Sequence, residues 1–182
     1  MMTMMDTKKG VMLVYTLVKK FAERAPNIQV GKTVIQKMMY LLGKELKYDF
    51  DFSMYHYGPY SPEISMYLGL AEDMGLVEVK WDTQCGYIIK PKSNKKVLEQ
   101  FENAIIKEEV EKIIKLVEEY VTLSPLATRL SIIATAVYIM DKFNVRKDKV
   151  VNVIKTLKPT YEERFIEETL KKSPNHILHE TN

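Results

Sequence analysis

The sequence predicts a mainly α protein with a small β-hairpin. Residues 9–91 form a winged-helix-like N-terminal unit, and residues 92–182 form a helical bundle packed on it. Three observations carry this expectation. Apolar residues recur at helical spacing in three successive segments before residue 75. Two strand-like runs, "LVEVKW" and "YIIK", then flank the loop "DTQCG". Beyond residue 100 the apolar runs again have helical length and spacing.

The first helix is expected from about Lys9 to Glu23, where Val14, Leu17, Val18 and Phe21 share a face before Pro26-Asn27 ends it. A second, about Lys32 to Leu46, aligns Ile35, Met38, Met39, Leu42 and Leu46, with Gly43 weakening it by roughly 1 kcal/mol against alanine. Next, Phe52, Met54 and His56 alternate with Ser53, Tyr55 and Tyr57, the period of a short extended segment. Gly58-Pro59 predicts a tight turn with tyrosine rings packed around it. Ser61 suits the N-cap of the third helix, and Pro62 its first position, where a missing N–H leaves nothing unpaired. Glu63 complements the helix dipole, Ile64, Tyr67, Leu68 and Ala71 share a face, and Gly75 fits a left-handed cap. Gly86 supplies the positive φ of the hairpin loop. Three helices followed by a hairpin is the order of a winged helix.

In the second half one helix is expected from Phe101 to Val121, its Ile106, Val110, Ile113, Val117 and Tyr120 serving core packing or a dimer seam. Ser124-Pro125 repeats the Ser-Pro helix start. The helix after it is apolar on nearly every side and interrupted by Arg129, which suits a buried central helix and is too short an apolar run for a membrane span. Two shorter helices, about Lys147–Leu157 and Tyr161–Lys172, complete the chain, the last with Thr160 and Glu163 at capping-box spacing.

An apolar fraction of 46% gives a sizeable core. The single cysteine, Cys85, excludes an internal disulfide and predicts a reducing, cytoplasmic home. The N-terminal apolar run has a basic flank, but "FAERA" follows two more lysines where a secretion signal would place a cleavage site. The net charge of +3 is too small to identify a nucleic-acid partner. Its distribution says more: nine Lys and Arg face five acids in residues 1–60, whereas five acids face two lysines in residues 61–90.

No motif carries complete catalytic chemistry. "VGKT" at Val30–Thr33 lacks the earlier glycine of a phosphate loop and reads as a helix start. His176 and His179 could face one metal, but no third ligand completes a site, and a frayed tail is the simpler reading. Cys85 has no neighbouring base. His56 could serve as a general base among tyrosines, although a half-buried strand histidine is expected instead. Neither enzyme activity, a cofactor nor a metal is therefore expected. The aromatic cluster could stack bases, but packing at the turn is favoured. A DNA face would draw on Lys32, Lys37, Lys44 and Lys47 of the second helix, because the third brings Glu63, Glu72 and Asp73 and no base. Met66 and Leu70 among those acids suit a protein-contact patch.

The segments "GKTVIQKMMYLLGKEL", "FSMYHYGPYSPEI" and "GLVEV" together resemble the YwgA-like family and the wider Panacea-type antitoxin and phage-associated proteins. The resemblance covers about Val30–Val79; the second half matches loosely, through "KPTYEE". Gln36, Lys37, Tyr40, Tyr57, Gly58, Pro59, Tyr60 and Ser61 carry the motif. The resemblance implies a regulator-like winged-helix protein, a DNA-binding transcriptional regulator being one form. Alternatively it implies an antitoxin-like or adaptor module that contacts a protein without DNA. Neither form has catalytic residues in the pattern, and the motif residues are expected to build the joint between the second and third helices. The partner is thus a protein or DNA and not a membrane, with a homodimer through the helical second half as a further expectation.

Overall fold

A computed structural model describes residues 6–174 and 176–178. Over these the chain forms eight α-helices and two antiparallel hairpins. Helix α1 (Thr7–Arg24) begins two residues before the expected start because the Asp6 carboxylate accepts from the Lys8 amide at 3.2 Å. Helix α2 (Lys32–Leu46) has Gly31 as its N-cap, as the helix-start reading of "VGKT" requires, and Lys47 closes it in the left-handed region at φ 57°.

The expected Gly-Pro turn is displaced. Strand β1 (Ser53–Tyr55) pairs with β2 (Gly58–Tyr60), Tyr55 opposite Gly58, so the turn is His56-Tyr57 and Gly58-Pro59 lies in the returning strand. Pro59 is tolerated because this two-stranded sheet is all edge. Helix α3 (Pro62–Asp73) then starts as expected: Ser61 Oγ accepts from the Ile64 amide at 3.4 Å, Pro62 holds the first position, and Gly75 follows at φ 70°. Strands β3 (Val77–Asp82) and β4 (Gly86–Pro91) form the second hairpin, with Gly86 at φ 81°. One hairpin was expected where the chain forms two.

The helix expected over Phe101–Val121 begins six residues late, and a short helix that was not expected precedes it. Asn94 caps α4 (Lys95–Gln100), the chain turns at the buried Phe101, and α5 (Lys107–Tyr120) restarts where Glu109 Oε2 accepts from the Ile106 amide at 2.7 Å. In α6 (Leu126–Phe143) the second Ser-Pro does not repeat the first: Pro125 is the N-cap, and Ser124 offers its carbonyl to Arg129 Nε at 2.7 Å. A 3-10 turn at Lys147–Lys149 precedes α7 (Val150–Leu157). Helix α8 (Glu163–Lys171) has Glu162 as its N-cap without a side-chain cap, so Thr160 and Glu163 form no capping box.

The core is continuous across residues 91 and 92. Leu13, Leu17 and Phe21 of α1 and Met38 and Leu42 of α2 join one cluster with Ile113 and Val117 of α5 and Leu130 and Ile133 of α6. The apolar face of α5 therefore serves the chain's own core. Ile132, Ala136 and Ile139, on the opposite side of α6, make a second cluster with Val150, Ile154 and Ile166 of α7 and α8. Helix α6 is the shared wall of both, which explains why it is apolar all round. Among the described residues no helix is long and apolar enough to cross a membrane.

Candidate functional site

The motif residues converge between α2, α3 and the β1–β2 hairpin. Gln36, on the buried side of α2, clamps the start of α3: its Oε1 accepts from the Ser61 amide at 2.9 Å while its Nε2 donates to Ser61 O and Ser65 Oγ, both at 2.9 Å. The next residue, Lys37, is 3% exposed and donates to Pro59 O at 2.8 Å. Burial, and then the neighbouring Lys158 charge, pull its pKa down to about 8. Lys158 donates to His56 O at 3.2 Å, and burial lowers its pKa too. Two ammonium groups thus hold the hairpin through its carbonyls.

The other side of the hairpin rests on α6. Ser131 donates its hydroxyl to Tyr57 O, and Thr135 to Ser131 O at 2.6 Å. Gly58 sits at φ 100°, where a side chain would also meet Thr135 Oγ1 at 2.6 Å, so glycine is required twice over. The joint consequently reaches beyond α2 and α3 to α6 and the segment after α7. Tyr40 lies behind it, packed on Phe52 (5.1 Å between centroids) and Tyr138 (6.0 Å), and its hydroxyl has no hydrogen-bond partner among the described residues. Burial, then the nearby Asp141, raises its pKa.

Several expected positions are corrected. Tyr57 does not pack at the turn: it is 64% exposed, as is Tyr55 at 60%, while Tyr60 is half-buried. His56 is exposed in the turn, with its ring against Tyr55 at 4.6 Å, instead of half-buried on a strand. The four lysines do not form one face. Lys37 is buried, so no phosphate can reach it; Lys44 is bound to Asp141; Lys32 lies over the Tyr87 ring at 3.9 Å; Lys47 is exposed beyond the helix end. Met66 is exposed, but Leu70 is half-buried and packs on the core, so the α3 patch is narrower than expected. The tail at residues 176–178 is docked, not frayed: His176 lies 2.8 Å from Glu45 Oε1, and Ile177 is buried. His179 lies outside the described residues. Cys85 is exposed, and Asp82 accepts from its Sγ at 3.2 Å, which raises the thiol pKa.

A second feature was illegible in the sequence. The tip of the β3–β4 hairpin faces the start of α2 and the loop before α6 across a groove of about 650 Å³. Trp81, Tyr87 and Tyr57 line it, brought together from segments far apart in the chain. The cross-strand pairing of Trp81 with Tyr87 could have been expected from the hairpin register; their meeting with Tyr57 could not. Ser131, Thr135 and Lys158 were likewise missed, the first two because they sit in a segment whose pattern speaks only for helix and Lys158 because it reads as an ordinary loop lysine after α7.

Comparison with protein-family models gives no match, and comparison with curated proteins gives none.

Proposed function

We propose that the chain is a regulator-like binding module that works by protein contact, with α3 as its contact helix and α1–α3 plus the β3–β4 hairpin in a winged-helix arrangement. One observation carries the reading. The outer side of α3 presents the exposed Met66 in line with Asp73, beside an open Gly69 that leaves room for close approach, while Glu72 turns toward β3 and accepts from the Val79 amide at 3.2 Å. An apolar knob in line with an acid suits a partner with an apolar socket and a basic rim. Duplex DNA is disfavoured on the same helix, since that acid would face phosphates, and Lys37 is withdrawn from α2. The motif resemblance to antitoxin-like proteins supports the same reading, a toxin being one such partner. The joint beneath serves it by fixing α3 through Gln36.

The test pairs two measurements. Titration with random duplex DNA at low salt is expected to show no binding; tight binding with a steep salt slope would return α2 to a DNA role. Immobilised protein should retain a partner that Met66→Glu loses and that Lys32→Glu with Lys44→Glu keeps. The opposite pattern would move the contact off α3.

A further inference from the structure

The groove at the β3–β4 tip has a chemistry that protein contact through α3 does not use; Met66, Glu72 and Asp73 are not among its lining residues. Its volume of about 650 Å³ falls within the range of small-molecule sites, about 300–1,000 Å³. Three rings stand on its walls: Trp81 is 65% exposed and Tyr57 64%, while Tyr87, 39% exposed, carries Lys32 over its face. Leu123, Pro125 and Leu126 supply an apolar side. Aromatic surface held in a wet concavity gains free energy when a flat ligand covers it.

The electrostatics are one-sided. Lys32 is the sole charged residue lining the groove, and no described carboxylate forms an ion pair with it. Asp82, next to Trp81, is turned into the hairpin loop, where it accepts from the Gln84 and Cys85 amides at 2.8 and 3.0 Å. Gly31 adds to the same sign. A side chain there would stand 2.9 Å from Tyr87 O, so the close approach of β4 keeps glycine as the N-cap and leaves the first amides of α2 without a side-chain cap. An anion is therefore favoured beside Lys32, with the rings of Tyr87 and Trp81 close by to take a flat ring.

We propose that this groove binds a free nucleotide, with the base against Trp81 and Tyr57 and the phosphate at Lys32. A single strand would need a basic track leading away along the hairpin. Of the lysines that could supply one, Lys80 and Lys92 are engaged by Glu78 at 3.0 and 3.5 Å, and Lys90 stands directly opposite the same glutamate in the ladder. The ligand is thus a mononucleotide-sized molecule, and the site is independent of the α3 surface.

Trp81 is the single tryptophan of the chain, so its fluorescence reports occupancy directly. The full chain is titrated with the four ribonucleoside 5′-monophosphates, with the matching nucleosides, inorganic phosphate and a thymidine decanucleotide as separate arms. Saturable quenching by at least one mononucleotide is expected, about tenfold weaker for its nucleoside. Lys32→Gln should erase that difference. Ala127→Glu, on the exposed wall of the groove, should weaken the nucleotide about tenfold by charge, and Ala127→Gln should not; circular dichroism checks that both fold. The proposal is overturned if no mononucleotide quenches saturably at millimolar concentration, or if Lys32→Gln changes nothing. It is also overturned if phosphate alone displaces the nucleotide at equal concentration, or if the decanucleotide binds more than about tenfold tighter than any mononucleotide. Loss of partner capture by Met66→Glu bears on α3 alone, so the two readings fail separately.

Discussion

Lys37 holds a charge in the interior with backbone carbonyl contact and no described acid bonded to it. Its pKa of about 8 lies below the ordinary 10.5, so between those values the unfolded chain carries more protons than the folded one. Stability therefore rises with pH across that window, and the penalty of the buried charge is fully present below about pH 8. The shift corresponds to about 3 kcal/mol, against which the bond to Pro59 O contributes about 1 kcal/mol. Lys37→Met is expected to be more stable than the parent by about 1–2 kcal/mol at neutral pH and to lose that advantage as pH approaches 10. Urea melts of both proteins check this, and a parent curve flat above pH 8 would refute it. The buried tyrosines act only at the top of this window and in the opposite sense, because above about pH 10 the unfolded chain loses tyrosine protons that burial keeps in the folded one. Tyr40 and Tyr120 bury hydroxyls that find no partner among the described residues. Removing either oxygen, as Tyr40→Phe or Tyr120→Phe, should raise the unfolding free energy by about 1 kcal/mol in thermal melts. A clear loss instead would show that the hydroxyl is bonded.

At the scale of the element, the β1–β2 hairpin is a short structure with little intrinsic stability, held from outside. Lys37, Lys158 and Ser131 hold its carbonyls, Gly58 lets it lie against α6, and Gln36 fixes the start of α3 that follows it through three hydrogen bonds. Gln36→Leu leaves the Ser61 amide unmet in the interior, whereas the Ser61 carbonyl keeps the Ser65 amide at 3.3 Å, and is expected to cost about 1–3 kcal/mol. Gly58→Ala meets both the left-handed backbone and Thr135 Oγ1, and should cost about 2 kcal/mol or more. Both are measurable by chemical denaturation, and a neutral Gln36→Leu would mean that α3 is positioned without the clamp. The residues of this joint stood out in the sequence as an unusual run. Their mechanical partners did not, because Ser131 and Thr135 look like ordinary interruptions of an apolar helix.

For the whole molecule, the decisive fact is a core shared across the chain. Helix α1 packs on α5, and α2 on α6. The charged network beneath α1 joins the halves as well, with Lys9 2.9 Å from Glu109 Oε1 and Tyr48 bonded to the same carboxylate. Burial works against that charge, yet the bonds from Tyr48, the Ile106 amide and Lys9 outweigh it and hold Glu109 below the ordinary carboxylate range. A fragment ending at residue 91 would expose the sides of α1 and α2 that meet α5 and α6. It is expected to lack a cooperative unfolding transition, while the full chain unfolds in one. Sharp, dispersed amide resonances from that fragment would contradict this and restore an autonomous N-terminal unit.

The predominance of helix, the placement of α1 to α3 and of the β3–β4 hairpin, and the central role of α6 are legible in the local sequence. Those features follow from local periodicity, capping residues and glycines, all readable within a dozen neighbours. The short α4 and the irregular stretch from Phe101 to Ile106 escaped, because periodicity does not register which turn is anchored in the core. Tertiary structure alone decided that Lys37 is buried and Tyr57 exposed, and that Trp81, Tyr87, Tyr57 and Lys32 share one groove. Such facts depend on which distant segment covers a side chain, and burial is a property of the packed chain rather than of the residue type.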